Sequence, residues 1–241
     1  MCGRYVLYGP KSRWRAESIY FEGLDSFPDR YNVAPSQTMP VVRLVEGKPT
    51  VTPARWGLIP YWAKDSKIGY STFNAMAETV AEKPAFRDAY KKRRCLVPAS
   101  GYYEWAKRPN GKQPYYFTSR DGSLLTFAGL WEEWMPKEGD PVISYTIIVC
   151  APNPLAASIH DRMPVIIAEK DREHWLNEHD GPHFLRNRKD PSRLLKPCPD
   201  ELLHVFPVGT AVNTPKNDAP ELIEPIGKIE LSECPQSPSY D

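Results

Sequence analysis

Apolar residues in this chain come in short runs broken by proline (26 of 241 residues), and few of the runs have helical spacing. Runs at residues 41–45, 115–118, 124–131, 145–149 and 165–168 are rich in β-branched and aromatic side chains and predict strands. Asp121-Gly122, between two of them, predicts a hairpin turn. Three segments predict helices. Residues 11–22 would turn Trp14, Ile19 and Tyr20 inward. Pro84 suits the first turn of a second helix, with Phe86 and Tyr90 on one face, and residues 169–177 form a third anchored by Trp175 and Leu176. Short strands with irregularly placed helices predict an α+β domain with a strongly bent, antiparallel-rich, barrel-like β core and a few peripheral helices. No linker or repeat divides the chain, so residues 2–226 read as one domain. Residues 227–241 are polar, acidic and proline-containing, and read as a disordered tail.

Composition and charge narrow this picture. A hydrophobic content of 41% is enough for a substantial core. No apolar run approaches the ~18 residues of a membrane span, and the start lacks the apolar stretch of a secretory signal, so a cytoplasmic protein is expected. Five cysteines, without a Cys-x-x-Cys, argue against a disulfide framework and a zinc site. The net charge of +1 hides an asymmetry. From Asn217 onward there are six acidic residues and one lysine, leaving 30 basic against 24 acidic residues before it. That surplus suits nucleic-acid contact on one face, and equally many proteins that never touch nucleic acid.

The second residue carries the most distinctive chemistry. Initiator methionine is normally trimmed before a small residue, which would leave Cys2 at the mature N-terminus. Its α-amine (ordinary pKa about 7.7–8.0) and thiol (about 8.5) would both be partly nucleophilic near neutrality. The amine can condense with an aldehyde to an imine, and the thiol can close on the imine carbon to a thiazolidine. Alternatively, Cys2 merely follows the start codon. Glu104, within Gly101-Tyr102-Tyr103-Glu104-Trp105, would have a raised pKa if buried, suiting a proton donor near pH 7; facing water it would be an ordinary carboxylate. His160, in Ile159-His160-Asp161-Arg162-Met163-Pro164, can serve as acid or base or be structural, and Arg162 suits a phosphate.

Other polar segments complete the set. Tyr31-Asn32-Val33-Ala34-Pro35 reads as a loop, Trp56-Gly57-Leu58-Ile59-Pro60-Tyr61-Trp62 ends in two exposed-looking aromatics, and Asn74-Ala75-Met76-Ala77-Glu78-Thr79 leads toward the second helix. His174, His179 and His183 tempt a metal reading, but Gly181-Pro182 breaks any helix aligning them, so no metal is expected. Lys91-Lys92-Arg93-Arg94 reads as a solvated helix C-terminus.

Together these segments resemble the SRAP family (SOS response-associated peptidase), whose members form a covalent DNA–protein crosslink at abasic sites. The resemblance runs from Met1-Cys2-Gly3-Arg4-Tyr5 through the blocks at residues 31–35, 56–60 and 61–79, then Arg94-Cys95-Leu96-Val97-Pro98 and residues 101–105, to residues 160–164. It implies that Cys2 is the nucleophile, first through its amine and then its thiol. By the same resemblance Glu104 is the acid/base, His160 assists sugar-ring opening and crosslink reversal, and Asn74 holds the amine and sugar in register. Arg4 and Arg162 would meet phosphates, and Trp62, with Tyr61, would stack on a base as a wedge. The implied partner is single-stranded DNA with abasic sites, replication-fork junctions included, met by a monomer with no cofactor, metal or membrane; in a bacterium it would be nucleoid-associated. Two sites depart from the family pattern. Met76 stands where many relatives carry arginine, and Val149 and Cys150 stand where small hydroxyl residues are common, so weaker phosphate contacts are expected.

The chemistry is coherent on its own terms. An abasic deoxyribose equilibrates with an open-chain aldehyde, which a 1,2-aminothiol captures well, and holding it beside Cys2 makes the capture effectively intramolecular. Two readings compete. One is an N-terminal-nucleophile cysteine peptidase or amidase, of which self-removal of Met1 would be a minimal form. The other is a non-catalytic single-strand DNA-binding module using Trp62 and the arginines alone.

Overall fold

The structure, a computed structural model, describes residues 2–10, 19–109, 111–177 and 190–227. In chain order its strands are β1 (Arg4–Leu7), β2 (Arg30–Val33), β3 (Thr38–Val45), β4 (Lys48–Trp56), β5 (Asn74–Met76), β6 (Arg94–Ala99), β7 (Gly101–Arg108), β8 (Gly111–Ser119), β9 (Leu125–Trp134), β10 (Val142–Cys150), β11 (Met163–Pro164) and β12 (Leu203–Pro207). Short helices α1 (Arg87–Lys92), α2 (Pro154–Ala157) and α3 (Arg172–Leu176) lie between them. One sheet has the order β12-β8-β7-β1-β2, and a second runs β11-β10-β4-β3-β6-β9, with β5 beside β10 and β9 also paired to β10. Every pairing is antiparallel except those of β10 with β4 and β5. This is the bent, antiparallel-rich core that the short apolar runs imply.

The bend sits where β6 leaves one sheet and β7 enters the other. Ser100, between them, donates its N–H to Val6 O (2.7 Å) and its hydroxyl to Tyr8 O (2.7 Å). Gly101 follows because the chain passes too close for a side chain: a Cβ there would lie 2.4 Å from the Phe117 carbonyl oxygen and 2.5 Å from the Tyr116 ring. Past the bend, β7 alternates with period two. Tyr102 joins the main core, Tyr103 and Trp105 face a second cluster with Val208, Val212 and Leu222, and Glu104 shares the inner face of Tyr102. The main core holds Tyr5, Trp56, Phe127 and Tyr145, all fully buried. Three of its buried polar tips are paired: Tyr5 and Tyr145 share a hydrogen bond of 2.8 Å, and Trp56 Nε1 donates to Phe73 O at 2.8 Å.

The structure also corrects several sequence expectations. Asp121-Gly122 makes a turn, but no hairpin: β8 pairs with β7 and β12, whereas β9 pairs with β6 and β10. The turn passes the chain between sheets, and Ser119 and then Ser123 hydrogen-bond Asp121, holding its pKa down to about 2. Residues 165–168 form no strand; the ladder uses Met163 and Pro164 instead, with one isolated bridge from Ile166 to Phe127. Tyr31 to Val33 belong to β2 rather than a loop, whereas Asn74–Met76 form β5 ahead of the turns that lead to α1.

In the first predicted helix, residues 11–18, Trp14 among them, lie outside the described residues. Ile19–Phe21 form a single 3-10 turn that buries Phe21 and leaves Ile19 78% exposed. The basic run is only half solvated: Arg94 is buried and caps carbonyls of Tyr90, Lys91, Trp175 and Asn177. Its donors satisfy acceptors at two helix ends. His179, His183 and the tail beyond Gly227 also lie outside the described residues.

Candidate active site

Cys2 precedes β1 and is fully buried. Strand β1 pairs with β7 in the register Arg4–Tyr103 and Tyr5–Tyr102, which brings the start of the chain against the inner face carrying Glu104. The Cys2 thiol lies 4.0 Å from Arg4 O. Burial, with Glu104 adding to it, pushes the thiol pKa far above its ordinary range. The expectation of a thiol partly ionised near neutrality is therefore corrected. In this setting the sulfur needs a base when it reacts.

Glu104 is buried rather than facing water. Burial raises its pKa to about 8, so the carboxyl carries a proton at neutral pH. His160 Nε2 lies 3.7 Å from Glu104 Oε2. The imidazole Nδ1 accepts the Arg162 backbone N–H at 3.1 Å, with the exposed Asp161 carboxylate 3.0 Å away. Burial lowers the His160 pKa, so both members of the pair are neutral near pH 7. A neutral acid facing a neutral imidazole can pass a proton in either direction.

Glu104 and His160 open on a cleft of about 400 Å³ lined also by Arg4, Trp105, Lys107, Lys112 and Asn213; Cys2 is buried and is not part of that lining. Arg4 donates from Nη1 to Asn32 Oδ1 and Val212 O, both at 2.8 Å, which fixes its guanidinium at the cleft wall. Asn32 anchors that wall through three further bonds from Nδ2 to carbonyls of Val212, Thr214 and Asn217. Trp105 Nε1 bonds Asn213 Oδ1 at 2.7 Å. Lys107 and Lys112 face each other across the β7–β8 ladder and add two cations that sequence reasoning missed. Asn110-Gly111 signals a hairpin here, but a two-residue turn centred on it would set Pro109 opposite Lys112; the observed register pairs Arg108 with Gly111 instead and so brings the lysines together.

The remaining candidates lie outside this lining. Asn74 sits on β5 opposite Ile147; its amide donates to Phe73 O (3.1 Å) and Ile147 O (3.4 Å), while its buried Oδ1 has no partner. An orphaned buried acceptor is costly, and an incoming N–H would relieve it. Arg162 is bonded to the Glu78 carboxylate. Val149 pairs with both Met76 and Pro164, so the two departures from the family pattern are neighbours on adjacent strands. Tyr61 and Trp62 are 58% and 48% exposed on the loop after β4. A larger cavity, about 690 Å³, is lined by Leu124, Ile167, Arg172 and Pro197 and holds none of these groups. Among the described residues no cluster of His, Cys, Asp and Glu suits a metal, and no helix is long and apolar enough to cross a membrane.

A family model described as SOS response associated peptidase (SRAP) matches residues 1–215. The abasic site processing protein YoqW of Bacillus subtilis (strain 168) is 40% identical over 230 residues, which cover 93% of this chain and 99% of that protein. The abasic site processing protein HMCES of Gallus gallus is 35% identical over 196 residues, covering 71% of this chain and 56% of that protein. A solved structure from Bacteroides thetaiotaomicron superposes with a TM-score of 0.77 at 27% identity, covering 93% of this chain and 99% of that one.

Proposed function

The chain belongs to the SOS response associated peptidase family, and from that premise we propose that it captures abasic sites in single-stranded DNA as a thiazolidine through Cys2. The observation that carries this reading is an aminothiol residue buried against a carboxyl that stays protonated to about pH 8, at a cleft lined by cations. Loss of Met1 frees the Cys2 amine, which adds to the open-chain aldehyde. Glu104 donates a proton as water departs, leaving an imine. That loss of water leaves the nitrogen with one hydrogen, as an iminium, and Glu104 as a carboxylate; the thiol then adds to the C=N carbon as its proton returns to Glu104, and the C=N π pair stays on the ring nitrogen. The elevated thiol pKa sets this order, because the amine is the better first nucleophile and the sulfur reacts only once a base is beside it. The same feature disfavours a thiol-first peptidase.

Closure matters chemically because an open imine promotes β-elimination and strand breakage. Asn74 Oδ1 accepts an N–H of the Cys2 amine, which gives the orphaned oxygen its partner. Arg4, Lys107 and Lys112 neutralise phosphates flanking the sugar. Residues 2–226 form the working unit.

The test is to mix the purified protein with a single-stranded oligonucleotide bearing one abasic site and to read intact mass. The expected adduct is protein without Met1 plus oligonucleotide less one water, absent in Cys2→Ala. An equal yield of adduct from a form that keeps Met1 would overturn the proposal.

A further inference from the structure

The loop pair formed by residues 57–62 and 66–72 carries a feature that the capture chemistry does not use. Its two limbs are stapled together. Leu58 N–H donates to Thr72 O (3.3 Å), Thr72 Oγ1 donates to Leu58 O (2.5 Å), and Gly57 packs so tightly on Gly69 that a Cβ would lie 2.3 Å from the Gly69 carbonyl oxygen. Gly57 also has φ +120°, which a side chain would strain. The platform is therefore rigid. From it project Tyr61, Trp62 and Tyr70, the last 64% exposed; these are the large aromatics most exposed to solvent among the described residues.

Tyr70 differs from the other two in having a cation beneath it. The Arg55 guanidinium lies 5.5 Å from its ring centroid, and Arg55 Nη1 is buried with no hydrogen-bond partner. A cation under one face of a ring holds the ring in place and leaves its other face to solvent. Charge around the platform is one-sided. Residues 55–72 hold Arg55, Lys64 and Lys67 against a single carboxylate, Asp65, which is engaged in capping Lys67 N–H at 2.8 Å. Exposed stacking faces with exposed lysines match a single nucleic-acid strand, where bases stack and phosphates seek cations. Tyr70 is four residues from Asn74, hence within about 14 Å of it.

We propose that Tyr70, backed by Arg55, is a second stacking subsite that receives an unpaired base of the strand beyond the Tyr61–Trp62 step, with Lys64 and Lys67 on its phosphates. This rests on the reading of the protein as an abasic-site binder. It lengthens the strand footprint on one side of the damaged sugar only.

The experiment measures affinity for labelled single-stranded oligonucleotides that keep one abasic site and are shortened stepwise from either end, at two salt concentrations. Tyr70→Ala is expected to weaken binding of long strands about tenfold. The loss should vanish when the strand is shortened from one end and persist when it is shortened from the other. Tyr70→Trp should restore affinity, and Lys67→Gln should lower the salt slope by about 0.7. Equal affinities of parent and Tyr70→Ala for every strand would overturn the proposal and assign the patch to another partner. If the parent formed no covalent adduct while Tyr70-dependent binding persisted, the capture reading would fail and this subsite would stand.

Discussion

The cleft around Cys2 and the loop face around Trp62 solve opposite problems. In the cleft a thiol and a carboxyl are buried away from water, so both hold their protons more tightly than in solution. On the loop face, aromatic rings stay in solvent on a stapled backbone, ready to stack. The first arrangement tunes proton affinity; the second supplies contact area without sequence reading. Under the proposed function chemistry and grip are separated, and each should be removable without the other.

The largest effect expected is at Cys2. Cys2→Ala should abolish the covalent adduct on a denaturing gel while strand affinity is kept. Cys2→Ser should form the imine without a durable ring, so the same gel should show more cleaved DNA than captured DNA. Equal adduct yield from Cys2→Ser would remove the thiol step.

Glu104→Gln comes next, with capture slowed about 100- to 10 000-fold in single-turnover assays and strand affinity retained. In the parent, the capture rate should fall as pH rises through about 8, where Glu104 loses its proton, and that limb should vanish in the variant. Stability follows the same group. Folded Glu104 is neutral up to about pH 8, whereas the unfolded carboxyl ionises above its ordinary pKa of 4.5, so its contribution is full below 4.5 and lost on rising through 8. Chemical denaturation at pH 9 should accordingly find Glu104→Gln more stable than the parent, and at pH 4 should find no such gain.

Trp62→Ala sharpens the contrast from the other side. Fluorescence anisotropy should show single-strand affinity reduced about tenfold, with an unchanged capture rate at saturating DNA. A fall in that saturated rate would mean the two regions are coupled after all.

The smallest effect is at Glu78, whose carboxylate occupies Arg162. Glu78→Gln should free the guanidinium for phosphate and tighten strand binding about two- to threefold at low salt, a gain that 0.5 M salt should erase. Unaltered binding at low salt would take Arg162 out of the strand contacts.

Much of this was legible in the chain. The apolar runs at 41–45, 115–118 and 145–149 all lie within strands, since burial on one face imposes its period wherever the strand goes. Phe86 and Tyr90, and Trp175 and Leu176, are buried as their spacing predicts. Asp121-Gly122 was legible only as a turn: dipeptide chemistry sets local φ and ψ, whereas which strands it joins depends on partners far away in sequence. Lys107 and Lys112 stayed hidden for the same reason, because a cross-strand pair exists only in a register.

Residue identity alone determined which reactive groups this protein owns: an aminothiol-capable second residue, one carboxyl among aromatics, and one histidine beside an arginine. Their protonation was decided in three dimensions. A pKa belongs to a surrounding rather than to a side chain, and only the packing of β1 against β7 takes water from Cys2 and Glu104 together.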